Sequence, residues 1–260
     1  MSYGDASYTP HAAPGAFPLP TRIDYFRAYT YIFDHPQWLT TIGWLGILGL
    51  LNLIPPLNLL YALLLVGYGF TVLDHLLVSG DTQYPTFDFG RLQDYLLRGL
   101  WPFLVYLVGS IILGIICYVA MFGVTAIGVV AGLILGKRAA GPILGLLAVP
   151  TVIGLVGLLL VGNLALWAMS LRSGLARDFV SGFDYRWIVD FLRKMWLELL
   201  LCALFLVVTA FVLEILGLMA LCVGILFVAP IVALASAHVT YQLYAVYLSR
   251  GGTPVAIVQR

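Results

Sequence analysis

Four stretches of this chain carry no Asp, Glu, Lys or Arg: His35 to Leu73 (39 residues), Gly99 to Gly136 (38), Ala139 to Leu171 (33) and Ile215 to Ser249 (35). A bilayer core of about 30 Å is crossed by roughly 20 helical residues. Each of the first two stretches is therefore long enough for a helical hairpin, and Leu197 to Ser249, broken by Glu198 near its start and by Glu214, has room for two spans. The composition agrees: 62% of the 260 residues are apolar and 10% charged, against roughly 45 to 50% and about 25% in soluble domains. A water-soluble globular domain is excluded. The formal charge of +1 leaves no electrostatic footprint for a nucleic acid. Cys117, Cys202 and Cys222 lie inside apolar runs without a C-x-x-C pair, which speaks against a disulfide framework, a zinc site or a redox dithiol.

Residues 1–20 hold four prolines and neither a basic start nor an apolar stretch; they read as a disordered tail, not a cleavable signal peptide. Beyond them a threefold pattern is legible. Asp24-Tyr25, Asp88-Phe89 and Asp184-Tyr185 each open a mixed segment that reaches Trp38, Trp101 or Trp196, and each Trp opens an apolar region. In the first mixed segment Ile23, Phe26, Tyr29 and Phe33 follow helical spacing opposite Asp24, Arg27 and Asp34, and Thr21 is placed to cap the start. Leu92, Leu96 and Leu100 repeat the design, as do Ile188, Leu192 and Met195. An amphipathic helix ending in Trp suits the headgroup region. The fold expected is an all-α integral membrane protein of about six transmembrane helices. It is built as three repeats of an interfacial helix plus a transmembrane hairpin, over about 21–80, 86–174 and 182–252 of a membrane domain 21–252, with a tail at 253–260. The middle unit leaves eight spans as the alternative.

The first hairpin is expected to turn at Pro55-Pro56, since proline lacks an amide hydrogen and disfavours helical angles in the residue before it. Asn52 and Asn58 are placed to satisfy backbone groups freed there. With every unit a hairpin, eleven of the thirteen Lys and Arg share one side and only Lys137 and Arg138 face away. The positive-inside rule then puts both termini in the cytoplasm. Gly128, Gly132 and Gly136 recur every four residues, a face that lets another backbone approach closely. The run Gly132 to Arg138 has too few residues between its glycines for a phosphate loop and lacks Ser or Thr after Lys.

No histidine has metal-ligand spacing, so neither metal nor cofactor is expected. His238, twelve residues before Arg250, falls about 18 Å up the last helix close to Ser236, Thr240 and Gln242. An intramembrane ionisable group is a functional candidate by default; the alternative is a neutral imidazole bonded within the bundle. Glu214 follows Trp196 by eighteen residues and marks the outer interface, or else a buried site shared with His238 or Asn163. Asp74 is expected to be solvated at the end of the second span, and Tyr241, Tyr244 and Tyr247 to form an aromatic belt.

Ile54-Pro55-Pro56-Leu57-Asn58, then Gly67-Tyr68, Gly80, Pro85, Phe87-Asp88 and Gly99-Leu100 resemble the signature of a prokaryotic multi-pass membrane family known as domain of unknown function 4013. The likeness is specific over about residues 24 to 105 and looser over Leu171 to Gly252, where Ala176-Arg177, Phe179 and the Tyr-rich last helix carry it. The chain departs from the pattern at Pro56, at Thr71 and Val72 where an arginine is commoner, and over Gly123 to Pro150. The resemblance implies a polytopic protein of a bacterial or archaeal cell membrane and no chemistry.

Two function classes follow. A non-enzymatic scaffold or accessory protein would assemble in or shape the membrane, with the lipid bilayer, further copies of itself or other membrane proteins as partners. A small-solute or ion carrier or channel would need several polar groups converging at midplane, and only His238, Asn163 and Gln242 are available. That paucity favours the scaffold.

Overall fold

The computed structural model describes residues 20–80, 84–220 and 223–255, with backbone alone for 135, 137–140 and 143. Among them there is no strand. The helices are α1 (Arg27–Asp34), α2 (Trp38–Leu48, continued by a 3-10 turn Gly49–Leu53), α3 (Leu57–Ser79), α4 (Leu92–Leu135), α5 (Lys137–Ala176), α6 (Tyr185–Met219) and α7 (Ile225–Ser249). Helices α3 to α7 are long and apolar enough to cross a membrane, five where six were expected; the sixth apolar segment, Trp38–Leu53, is shorter. The proposed tails, apart from Pro20 and Thr253 to Val255, lie outside the described residues, as does Cys222.

The three aspartates that open the polar segments share one local task. Asp24 Oδ1 accepts the Arg27 amide at 3.0 Å, Asp88 Oδ1 the Gly90 amide at 2.8 Å, and Asp184 Oδ1 the Arg186 and Trp187 amides at 3.1 and 3.3 Å. Each satisfies amides that a helix start leaves unpaired. Thr21, placed by sequence to cap the first helix, is exposed ahead of it. A separate short helix follows only the first aspartate, because His35 is extended before Pro36 and ends α1. The second and third mixed segments run on without a break into α4 and α6. Trp101 and Trp196, expected at helix boundaries, therefore sit inside long helices, 37% and 57% exposed; Trp38 does begin α2.

The packing of α1 also differs from its pattern. Ala28, Tyr31 and Ile32 are buried, while Phe26 and Phe33 are 78% and 50% exposed. The stripe read as the buried face points partly outward, and Tyr29 edges onto Phe205 of α6.

At Pro55-Pro56 the chain turns as expected, through a cis peptide, and α3 begins at Leu57. The freed groups are met by backbone, with Leu57 N–H donating to Ile54 O at 2.7 Å and Ile54 N–H to Leu51 O at 3.2 Å. Asn52 and Asn58 are exposed and take no part. Helices α3 and α4 cross at two glycines: a Cβ on Gly67 would run into the Tyr95 carbonyl, and one on Gly99 into the Leu63 carbonyl and the Gly67 backbone.

Of the glycines expected to form a face, Gly128 is buried with Leu144 of α5 against it, and Gly132 is half-buried on α4. Gly136 is not on a helix face at all. It separates α4 from α5 at φ 83° with open space around it, a backbone region that favours glycine. The middle unit is thus two long helices, not four short ones.

Burial is uneven along these helices. On α4 no residue between Val105 and Gly128 is buried, and on α5 no described residue before Leu164 is. The core gathers at the other end, around Tyr68, Tyr95, Leu171, Phe191 and Tyr247.

Candidate functional site

Three features concentrate the polar chemistry. The first is an ion layer where the ends of α3, α4 and α5 meet. Arg98 donates from Nε and Nη2 to both carboxylate oxygens of Asp74, at 2.9 Å each, and from Nη1 to the Gly174 carbonyl. Its guanidinium lies 5.3 Å from the Phe70 ring centroid. Arg177 adds a 3.4 Å contact to the same carboxylate. Asp74, expected to be solvated, is paired by a residue 24 positions away. His75 beside it is exposed.

The second is a latch on α7. Gln242 Oε1 accepts the Asp24 amide at 2.6 Å, and Gln242 Nε2 donates to the Asp24 carbonyl at 2.9 Å. That pairing fixes the amide, since a flip would set donor on donor and acceptor on acceptor. Nε2 also lies 2.9 Å from His238 Nδ1, so Nδ1 must accept and the proton of a neutral imidazole sits on Nε2. His238 is fully buried with its ring 4.3 Å from that of Tyr31, whose hydroxyl donates to the Leu234 carbonyl at 2.7 Å. The two residues hold the chain ahead of α1 against α7.

The neighbouring tyrosines are core and not a belt: Tyr241, Tyr244 and Tyr247 are 7%, 3% and 0% exposed. Tyr244 accepts the Val255 amide at 2.8 Å. Tyr247 donates to Asp190 at 2.8 Å and accepts the Thr253 amide at 3.1 Å. Arg250 pairs with Glu198, closing α7 onto α6. These bonds and the ion layer bring the start of α1, the start of α6 and the segment after α7 to one end of the bundle.

The third feature is a cavity of about 440 Å³ between α3, α5, α6 and α7, lined by Leu65, Phe70, Leu171, Leu206, Ala237 and other apolar groups. Its polar lining is sparse. Trp167 Nε1 donates to Thr240 Oγ1 at 3.2 Å, and Thr240 donates on to the Ser236 carbonyl at 2.7 Å. Asn163 is exposed at the rim, donating to Leu159 O at 2.8 Å, with Tyr106 at 3.4 Å. A second space of about 410 Å³ between α6 and α7 shares the lining residues Ala233 and Ser236 with the first and carries Glu214 on its wall. Glu214 is exposed.

The four expected intramembrane polar residues therefore do not form one site. His238 and Gln242 belong to the latch, Asn163 to a cavity rim, Glu214 to another. The ion layer was not legible as a site, because its partners come from three helices. No group of three or more His, Cys, Asp or Glu among the described residues is arranged to hold a metal.

No curated protein and no solved structure matches the chain. The family model described as protein of unknown function (DUF4013) matches residues 47–223, which takes in the turn at Pro55-Pro56, both crossing glycines and the stretch from Gly123 to Pro150, but neither residues 24–46 nor α7. By that match the chain belongs to this family, a family of membrane character by its long apolar helices and without an assigned activity.

Proposed function

We propose that this protein is a non-enzymatic scaffold of a prokaryotic cell membrane that assembles, with copies of itself or with other membrane proteins, through its α4–α5 hairpin. One observation carries this reading. The charge-free run from Gly99 to Gly136 has 38 residues, or about 57 Å of helix, nearly twice a bilayer core of about 30 Å. Beyond the ion layer the hairpin presents Ile112, Ile116, Phe122, Leu133, Leu146 and Ile153 outward, 47% to 81% exposed, with little of the chain packed on them. Apolar length that exceeds the bilayer calls for tilt or for protein cover.

The reading places both termini in the cytoplasm with the basic ion layer, and takes the chain as three variants of one unit. The shared role of Asp24, Asp88 and Asp184 at the starts of their segments supports that repeat. The carrier reading is weaker because His238 and Gln242 are spent on holding the chain ahead of α1. The test is flux of protons and small solutes into sealed vesicles holding the protein, alongside its copy number per nanodisc. Background flux in the wild type, His238→Gln and Glu214→Gln, with more than one copy per disc, supports the scaffold. A gradient-driven flux lost in either variant overturns it.

A further inference from the structure

We infer that the two adjoining cavities together hold one acyl chain of an amine-bearing phospholipid, with its ammonium group at Glu214. A space of about 440 Å³ would take about 15 waters at roughly 30 Å³ each, and each buried water needs two to four polar partners. The lining offers few: the Trp167 indole and Thr240 hydroxyl are engaged with one another, Thr240 with Ser236 O, and Ser170 with Pro102 O. Water is the wrong occupant for such walls. Within a bilayer the alternative is hydrocarbon, and the shape suits a chain. The space runs along α5 from Asn163 to Leu171, about 12 Å at 1.5 Å per residue, ending against Phe70 and Leu73 beneath the Arg98 layer.

The other end of the space lies toward α6 and α7. At Ala233 and Ser236 it shares its wall with the second space, where α6 brings Glu214. From Ala203 to Glu214 is about 16 Å of helix, so a chain seated at the closed end leads its headgroup toward that carboxylate. Glu214 makes no ion pair with any described residue, and an ammonium is the headgroup charge that complements it. The Ser236 hydroxyl, at the junction, makes no hydrogen bond with a described residue and stands free to donate to a lipid ester.

The test uses the full-length protein in vesicles of equal parts phosphatidylethanolamine and phosphatidylglycerol. Either lipid carries a photoreactive diazirine in its acyl chain, and labelled positions are mapped by mass spectrometry. Labelling of Leu206, Ala233 and Ser236 by the ethanolamine lipid is expected, falling about tenfold when Ala203→Phe or Ala233→Leu fills the space. Labelling around Ile112 to Phe122 should stay unchanged as the measure of ordinary lipid contact. Glu214→Gln, at an exposed position, should bring the ethanolamine lipid down to the level of the glycerol lipid. Labelling confined to Ile112 to Phe122, or unaltered cavity labelling in a filled variant that melts as the wild type does, overturns the proposal. Equal labelling by both lipids in the wild type overturns the role of Glu214. Failure of one filling variant to fold leaves the other, and the wild-type map decides alone if both fail.

Discussion

The α3–α4 crossing and the outer α4–α5 arm are written in the same residues, chiefly Leu, Ile, Val and Gly, and they behave oppositely. At the crossing, Gly67 and Gly99 let two backbones meet so closely that neither has room for a methyl group. Beside Gly99, Arg98, 9% exposed, clasps Asp74. Along the arm, Gly114, Gly123, Gly145, Gly154 and Gly157 have open space where a Cβ would stand, and the side chains between them face outward. Composition cannot separate the two, because lipid and protein interior are equally apolar solvents for these residues. What separates them is whether a polar or backbone contact from another helix arrives at that depth. The packed end has such contacts from several helices, and among the described residues the outer arm shows none beyond its own hairpin.

The largest break in this contrast should come from Arg98. Replacing it with Met leaves the Asp74 carboxylate with only the longer Arg177 contact at 3.4 Å and the Gly174 carbonyl unpaired. Removing one partner of a buried ion pair costs about 3 to 5 kcal/mol. Thermal melting in detergent should show Arg98→Met far below the wild type, and adding Asp74→Leu should recover part of the loss. A variant that melts as the wild type does would show that the layer is solvated and ties nothing together.

The crossing comes next. Gly99→Leu forces α4 off the Leu63 carbonyl and the Gly67 backbone, which cannot give way as side chains can, and overpacking of this kind costs about 1 to 3 kcal/mol or somewhat more. Gly128→Ala meets only the end of the Leu144 side chain, which can rotate, so its loss should be small. Equal losses at the two sites, read from melting temperatures, would remove the distinction between crossing and arm.

These two sites also mark what could be read from the sequence. Charge-free length and proline placement delivered the helical class, the first turn and the membrane character, because those follow from local chemistry. Periodicity points to a glycine face at Gly128, Gly132 and Gly136, whereas the tight contact is made by single glycines 32 positions apart, Gly67 and Gly99. No periodicity reports such a pair. Asp74 looked solvated for the same reason, its partner being distant in the chain. The Tyr241, Tyr244 and Tyr247 ladder was ambiguous in principle: an aromatic belt and a core tyrosine both want an apolar ring with a hydroxyl near water. Val255, Asp190 and Thr253 decide it, and none of them is near in pattern. His238, expected within the last span, is buried on α7, and its pairing with Gln242 lies one turn along the same helix. The Asp24 backbone that completes the latch comes from the far end of the chain, 218 positions away.

A smaller effect distinguishes the two regions by pH. His35, between α1 and α2, is 8% exposed, stacks 4.5 Å from Tyr84, and accepts the Gln37 amide on Nδ1 at 3.1 Å. Burial lowers its pKa from the ordinary 6.5. The unfolded chain therefore takes up a proton first as pH falls, so His35 favours the fold fully above about 6.5, and that contribution is lost as pH drops through its depressed value. Melting temperature should decline with acid over that window, and the decline should be shallower in His35→Gln. An identical slope in both would assign the acid sensitivity to other groups.

The smallest effect has the opposite sign. Gly157 lies inside α5 with nothing within 4 Å of the position a Cβ would take, and Gly154 is the same one turn earlier. A glycine inside a helix costs about 1 kcal/mol relative to alanine, chiefly through backbone freedom in the less ordered state. With space available and ordinary helical angles, Gly157→Ala should stabilise the arm by about 0.4 to 1 kcal/mol, visible as a slightly higher melting point in detergent. If the arm instead docks against a second copy or another membrane protein through its small residues, as close helix packing in bilayers often does, the same methyl group would stand in the interface. It would then lower the copy number per nanodisc while leaving the isolated protein no less stable. The two measurements together separate a lipid-facing arm from an assembling one: a gain in melting temperature with unchanged copy number would place Gly157 in lipid, and a gain with fewer copies would place it in the contact.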